Sequence, residues 1–445
     1  MTEQTAYSVE AGRDHALSAG SSYFGTGTGY VGEVPMPKSM SAPTYQLVHV
    51  ELPDWASDLG VGSPASLLVD ACCIQDGEGS QFDRCDWLRA AHLHLSGWLE
   101  RSVEDRRGPI QSYAFRLPTA WSVAYDHAWA NRIFLLLRRM AARARGSSEV
   151  ALFGPVPAAR FHLTHDVDAL TKTPQLRLKS AIMQLIAVAR LGAGGRFRSA
   201  LKRARDAAGF VFTSADYWLF DEVCALEAER GFKSRFFFAD QMADKSLTAW
   251  LIDPSYRAAE PRIQELIRGL HSAGWKIGIH PGFNSWNDLS KLSRTRQEVR
   301  ASLGADVAHC RQHWLRFSWR DTWAIQEKAG VRYDFTLGFN DRSGFRNGSA
   351  LAHRPWNSAL GKSHGVTCVP TIIMDSQFYD YGFPSDPRAA MVNWIDEVVA
   401  VGGEASLLWH VHTIHEEYGW REGYVALLDL LKARCITVVE AISDA

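Results

Sequence analysis

From Phe161 onward the chain repeats one pattern: a short apolar run, then a stretch of helical periodicity. Seven such runs occur, RFHLTHDV, SRFFFA, KIGIH, HWLRF, YDFTLGF, VTCVPTIIM and SLLWHVHT. Runs this short, separated by helical stretches, predict parallel strands joined by crossover helices. One helix is expected in SADYWLFDEVCALEAERG, from a Ser214 cap to Gly231, and another in PRIQELIRGLHSAG, with Pro261 at its start and Gly274 at its stop. The expected fold class is α/β, with the parallel sheet closed into a barrel. In such barrels chemistry gathers at the C-terminal ends of the strands.

The strand ends carry the chemistry-bearing residues. In FHLTHDVDAL the side chains alternate, so His162, Thr164, Asp166 and Asp168 share one face. Two carboxylates that close repel, and one takes a proton unless a cation sits between them. A divalent metal removes the conflict and leaves the second carboxylate free as a base. The alternative is an Asp pair that caps a helix or turn. KIGIHPGFNS places His280 at the end of its strand, and LLWHVHTIHEEYGW places His410 and His412 two apart with His415 just beyond. Asp and His at the ends of three different strands suit zinc or a similar divalent ion acting on water.

The whole chain has 445 residues, long enough for a barrel with additions. Residues 1–45 are rich in Gly, Ser, Thr and Tyr and are expected to be loosely ordered. Residues 46–155 are expected to form a smaller α+β domain, and residues 156–445 the barrel. In the smaller part YQLVHVEL and SLLVDACCI read as strands, and CDWLRAAHLHLSGWLERSV and HAWANRIFLLLRRMAARAR as helices. A net charge of −1 offers no concentrated basic surface for nucleic acid. Seven cysteines without a CxxC spacing read as reduced thiols. The first residues lack a basic start and an apolar core, and no apolar run approaches about 18 residues. A cytoplasmic location is therefore expected.

The segments LTHDVD, GWKIGIHPGFNS, HWLRFSWRDTW with AGVRYDFTLGF, and SLLWHVH fall in an order that resembles the polysaccharide deacetylase (NodB homology, carbohydrate esterase 4) family. The resemblance covers roughly residues 160–436 and looks like a bacterial branch with HDVD at the first motif and an N-terminal extension. It implies a distorted (β/α)7 barrel and a metal-dependent hydrolase that removes acetyl from an N-acetylated sugar. By motif position Asp166 is the base and Asp168 a metal ligand. His280 matches the first His of the second motif, while Asn284 stands where a second His is usual. Either Asn284 ligates through its carbonyl oxygen, or His412 or His415 completes the set, or water does, or metal binding is lost. Arg316 matches the arginine that orients the base, and His410, within Leu408-Trp409-His410, the acid. Zinc is the expected metal, with cobalt or nickel as alternatives.

Arg346 lies among Gly and aromatic residues and is a candidate substrate contact, as are Trp319 and Trp409 for sugar stacking. Between Asp168 and Asp206 there are nine Lys/Arg and no Asp/Glu. Its apolar half suits a membrane surface and its basic half anionic lipid phosphates, which would fit a lipid-linked sugar. The alternative is a solvated helical hairpin packed over the barrel mouth. Two other functional classes compete with deacetylation: hydrolysis of another C–N bond, with or without metal, and a non-catalytic glycan-binding scaffold.

Overall fold

The computed structural model describes residues 3–195, 197–241, 244–381, 384 and 386–440. Strands β1 (Leu47–Glu51) and β2 (Ser66–Asp70) pair antiparallel. Then come β3 (Arg160–Asp166), β4 (Arg235–Phe238), β5 (Lys276–Ile279), β6 (His309–Cys310) and β7 (Tyr333–Asp334). A small hairpin of β8 (Trp356–Asn357) and β9 (Lys362–Ser363) follows. β10 (Thr367–Cys368), β11 (Thr371–Met374), β12 (Glu404–Leu408) and β13 (Thr437–Val438) complete the set.

The main sheet runs β10-β7-β6-β5-β4-β3-β12-β11, with β13 on β3, and every pairing in it is parallel. Its two ends are joined through only Val369 and Pro370. Val369 N donates to Asp334 O and Ser406 N to Pro370 O, each at 2.8 Å. That one run therefore touches the β7 side and the β12 side, and the sheet curls as in a (β/α) barrel. The expected α/β class with a curled parallel sheet is what the chain forms.

Two local expectations fail. The fourth strand is β6 at His309–Cys310, whereas HWLRF forms a turn of 3-10 helix at His313–Leu315 and the loop beyond. Leu315 N donates back to Gln312 O at 3.0 Å and turns the chain out of the sheet before the apolar run can pair. The helix expected from Ser214 starts at Phe220, because Tyr217 N bonds back to Leu170 O and holds the intervening chain against the loop after β3. The helix Pro261–Ser272 stands as expected and buries Ile263, Ile267 and Leu270 on one face.

Composition predicts a loose segment over residues 1–45, yet helices form at Glu3–Ala19, Ser21–Phe24 and Thr28–Gly32. The aromatic residues decide this. Tyr23 and Phe24 are fully buried, and Tyr23 Oη donates to Val401 O at 2.7 Å. Helices Trp87–Ser96, Trp98–Arg107 and Trp129–Ala144 share one apolar core with the sheet, which runs from Leu67 and Phe134 to Phe161 and Leu428. All seven cysteines are free thiols, and no helix of the described residues is long and apolar enough to cross a membrane.

A buried ion pair ties the N-terminal region to the helix Pro387–Ala400. Arg132 donates from Nε and Nη2 to Glu397 at 2.8 and 2.6 Å, and Ala128 N donates to it at 3.0 Å. Burial would raise Glu397, but Arg132 and His127 outweigh it and hold the carboxyl at about 2. Its unfolded value is 4.5, so its stabilisation is complete above that pH and is lost as pH falls from 4.5 towards 2. The contribution is roughly 3 kcal/mol. Glu397→Gln is expected to lower the urea midpoint at pH 7 and to narrow its gap from wild type as pH drops below 4.5. Urea titrations across that range check both.

Candidate active site

At the C-terminal ends of the parallel strands a cavity of about 810 Å³ opens, lined by Asp166, Asp168, His280, His313, His410 and His412 among others. β3 runs in its final residues from a buried apolar body to Asp166, and Asp168 follows on the same face. β5 ends at Ile279 and delivers His280; β12 ends at Leu408 and delivers His410 two residues later.

Asp168 is the centre. His280 Nε2 lies 3.2 Å from its Oδ1, and His313 Nε2 and His410 Nε2 lie 3.7 Å from its Oδ2. Burial would raise Asp168, but His313, His280 and His410 hold it well below the usual carboxylate range. His313 is raised: burial opposes, and Asp168 and Asp253 prevail. Among the described residues Asp168, His280 and His313 form a set whose ligating atoms lie within 4.8 Å of one another. Asp168 Oδ1, His280 Nε2 and His313 Nε2 are all buried without a well-formed hydrogen bond.

The outer nitrogens of these rings are already committed. His280 Nδ1 donates to Arg311 O at 2.7 Å, and His313 Nδ1 to Asp253 Oδ1 at 2.8 Å. That fixes both rings with Nε2 turned inward, as metal-ligating histidines are held. Asp253 also accepts from Phe283 N at 2.7 Å. Gly282 makes room for it, since a Cβ there would lie 2.4 Å from Asp253 Oδ2. Two imidazoles and a carboxylate around an open position are a donor set that fits zinc.

Asp166 points beside this set, its Oδ2 3.7 Å from His280 Nε2. Its Oδ1 accepts from Arg311 Nη1 at 3.1 Å. The arginine that orients Asp166 is thus Arg311, fully buried, and not Arg316. Arg316 instead donates to Phe283 O and Asn284 Oδ1 at 2.8 and 3.1 Å and covers the Phe283 ring. The four-residue displacement of β6 explains the exchange. It also hid His313, which stands three residues beyond a strand end as a candidate ligand should.

Other expected site residues go elsewhere. Asn284 spends its amide on Asp244, Ser246 and Arg316, outside the ligand set. His412 lines the cavity but does not join the set; it packs edge-on to His410 and Tyr418, and burial holds it down at about 4. Arg346 is buried in a two-pronged pair with Glu100, with a further bond to Gly338 O at 2.8 Å, so it does not reach the cavity. Trp319 is buried against Gly97, which has φ 63° and whose Cβ would lie 2.2 Å from the ring. Trp409 is buried between Tyr424 and Tyr379. Each of these three side chains is buried in the interior.

His410 is braced by a residue that the sequence reading overlooked. Asp375, one past the end of β11, accepts from His410 N and Nδ1, each at 2.8 Å. Burial would lower His410, but Asp375 first, then Asp168 and Asp166, raise it to about 9. A strand-end Asp after TIIM was the available signal. Trp314 and Leu315 carry φ of 60° and 46°, and the Trp314 carbonyl is gripped by Ser112 Oγ at 2.7 Å and Asn340 Nδ2 at 2.8 Å. Such backbone is uncommon outside glycine and is retained where surroundings enforce it. Here it follows His313 directly and turns Trp314 into the cavity wall.

No family model and no curated protein matches the chain. Two of the solved structures similar to it are as follows. One is assigned as a polysaccharide deacetylase from Mycobacterium smegmatis, with TM-score 0.35 and 15% identity over 66% of this chain and 96% of that one. The other is a mutant CE4-family pseudoenzyme with restored enzymatic activity, with TM-score 0.31 and 9% identity over 63% and 65%. Likeness at this level is too slight to fix a family, and the functional reading stands on the site's own residues.

Asp168→Asn, His280→Ala and His313→Ala are each expected to abolish binding of a zinc-like ion, at about one per chain in the wild type. Asn284→Ala is expected to keep it. Metal analysis of the purified variants after incubation with zinc distinguishes the two groups.

Proposed function

We propose that this protein is a metal-dependent hydrolase that removes an N-acetyl group from a sugar or glycan intermediate. The observation that carries the proposal is the convergence of Asp166, an Asp168-His280-His313 ligand set and a raised His410 in one cavity. The barrel reads as seven-stranded when residues 367–374 count as one bent strand and the short β13 on β3 is set aside, with residues 46–155 as an N-terminal α+β unit against it.

Asp168, His280 and His313 would hold a zinc-like ion, which would supply Lewis acidity to polarise a carbonyl and acidify water. Asp166, its charge balanced and its direction fixed by Arg311, accepts the proton of the attacking water. The new C–O bond forms at the acyl carbon and the C–N bond breaks. His410, protonated at neutral pH because Asp375 raises it, hands its proton to the departing nitrogen. Acetate and a free amine leave. Leu315, Met374 and Leu408 form an apolar cluster at the cavity floor, of a size and character that suits an acyl methyl. Trp314, Tyr418 and Trp420 line the wall and offer aromatic faces for sugar rings.

Acetate release from N-acetylhexosamine oligomers by zinc- or cobalt-loaded protein tests the reading; no release from any of them would overturn it. Asp166→Asn and His410→Ala are each expected to lower kcat by about 10² to 10⁴ while leaving the ion bound. Asp375→Asn removes the charge that holds His410 at about 9. The basic limb of its kcat/KM profile is therefore expected to move to lower pH, and a pH series on wild type and variant measures the shift.

A further inference from the structure

The helices Pro174–Ala193 and Phe197–Phe212 form a hairpin that roofs the cavity. Its base is fastened. Lys172 Nζ donates to Phe210 O at 3.1 Å and to Thr213 Oγ1 at 2.8 Å, and pairs with Glu417. Arg177 Nη1 donates to Val211 O at 2.6 Å across the two helices. The outer face is different in kind. On the first helix Leu178, Ile182, Leu185 and Ile186 recur at i, i+4, i+7 and i+8, and all are exposed. On the second, Phe197, Leu201 and Phe212 share one face and are 72%, 75% and 85% exposed. Apolar residues this open, in a stripe on each helix, are costly in water and mark an interaction surface.

Charge selects the occupant. Residues 169–205 hold nine Lys/Arg and no Asp/Glu. Among the described side chains Arg198 and Arg205 are exposed beside Phe197 and Leu201. Apolar stripes flanked by an excess of cations, with Asp206 the one acidic residue of 174–212, match an anionic bilayer, whose phosphates meet the cations while its acyl region receives the leucines and phenylalanines. The stripe also continues inward. Ile186 belongs both to the exposed face and to the cavity wall, which Leu176, Leu191, Leu251 and Ile252 extend as an apolar flank. Lys179 stands at this wall, its Nζ 3.2 Å from Ile252 O and over the Trp314 ring.

We propose that the hairpin 174–212 seats the protein on an anionic lipid bilayer and that the sugar deacylated in the cavity is carried on a membrane lipid. The lipid chain leaves along the Leu176–Ile186 flank, and Lys179 meets the anionic linkage between lipid and sugar. The seating is independent of the deacetylase reading; the nature of the substrate rests on it.

Co-sedimentation with phosphatidylglycerol–phosphatidylcholine vesicles, beside pure phosphatidylcholine vesicles, tests the seating. Wild-type protein is expected to sediment with the anionic vesicles and not the neutral ones. Leu201→Glu and Phe212→Glu are each expected to weaken this by at least about tenfold. Both are expected to keep the wild-type melting temperature and the wild-type rate on soluble N-acetylhexosamine oligomers. No wild-type binding at low salt overturns the seating. So does equal binding by the variants, or a dimer in solution that covers the stripes and excludes vesicles. Asp166→Asn is expected to bind vesicles like wild type, so loss of the deacetylase reading and loss of the seating are separate results. For the substrate, a vesicle-embedded N-acetyl glycolipid is expected to be hydrolysed at least about tenfold faster than the soluble oligomer, an advantage that Phe212→Glu removes. Equal rates overturn that half.

Discussion

The Arg311 guanidinium is the interaction on which the interior of the sheet depends. All five of its N–H bonds are used. Nε donates to Phe335 O at 3.0 Å, Nη1 to Thr164 Oγ1 and Asp166 Oδ1, and Nη2 to Thr371 Oγ1 and Ser406 Oγ. One cation thereby joins β3, β11 and β12 and the chain leaving β7, across the middle of the curl. Burial lowers its pKa, and Asp166 is the main opposing influence. Removing either partner would strand a charge in the interior, which costs about 3–5 kcal/mol. The same contact that ties the curled sheet together therefore aims the side chain that acts as base in the reading above.

From that fixed point the other charges arrange themselves in order. Asp166 is answered by Arg311, and Asp168 by a ring of histidine nitrogens. The two carboxylates enter one cavity without sharing one environment. Asp375 makes the same division on the acid side, giving both oxygens to His410 so that one histidine keeps a proton where His412, held down by burial and by the His410 charge, does not. Pairs of titratable groups pushed apart by their surroundings are how one cavity holds an acid and a base at one pH.

The sequence made much of this visible. Strands overlap six of the seven expected runs, and Asp166, Asp168, His280 and His410 stand at or just past strand ends as alternation predicts. The failures share a cause. HWLRF is apolar enough to pass for a strand, so His309–Cys310, a two-residue strand with a polar start, went unread, and Arg311 and His313 with it. Tryptophan was misjudged for a different reason. Trp319 and Trp409 sit in stretches rich in other chemistry, yet ring size places them in the core, while Trp314, on a left-handed turn, reaches the cavity. Partner choice was beyond reach of the sequence as well: nothing local pairs Arg346 with Glu100, which precedes it by 246 residues.

Asn284 and His313 are two halves of one arrangement. At 284 the side chain donates to Asp244 Oδ2 at 3.1 Å and accepts from Arg316 at 3.1 Å, a combination that needs a donor and an acceptor on one short planar group. A ligating histidine there would break that link and leave Arg316 without its amide partner. In the proposed ligand set the third member comes instead from the loop after β6, whose left-handed Trp314 and Leu315 hold His313 inward while Asp253 braces the ring from behind. Asp253 reaches it only across the side-chain-free Gly282, two residues before Asn284. The HPGFN segment thus supplies one proposed ligand directly, through His280, and secures a second at one remove. Its asparagine is a hinge pin for the surrounding loops and not a weakened copy of a histidine.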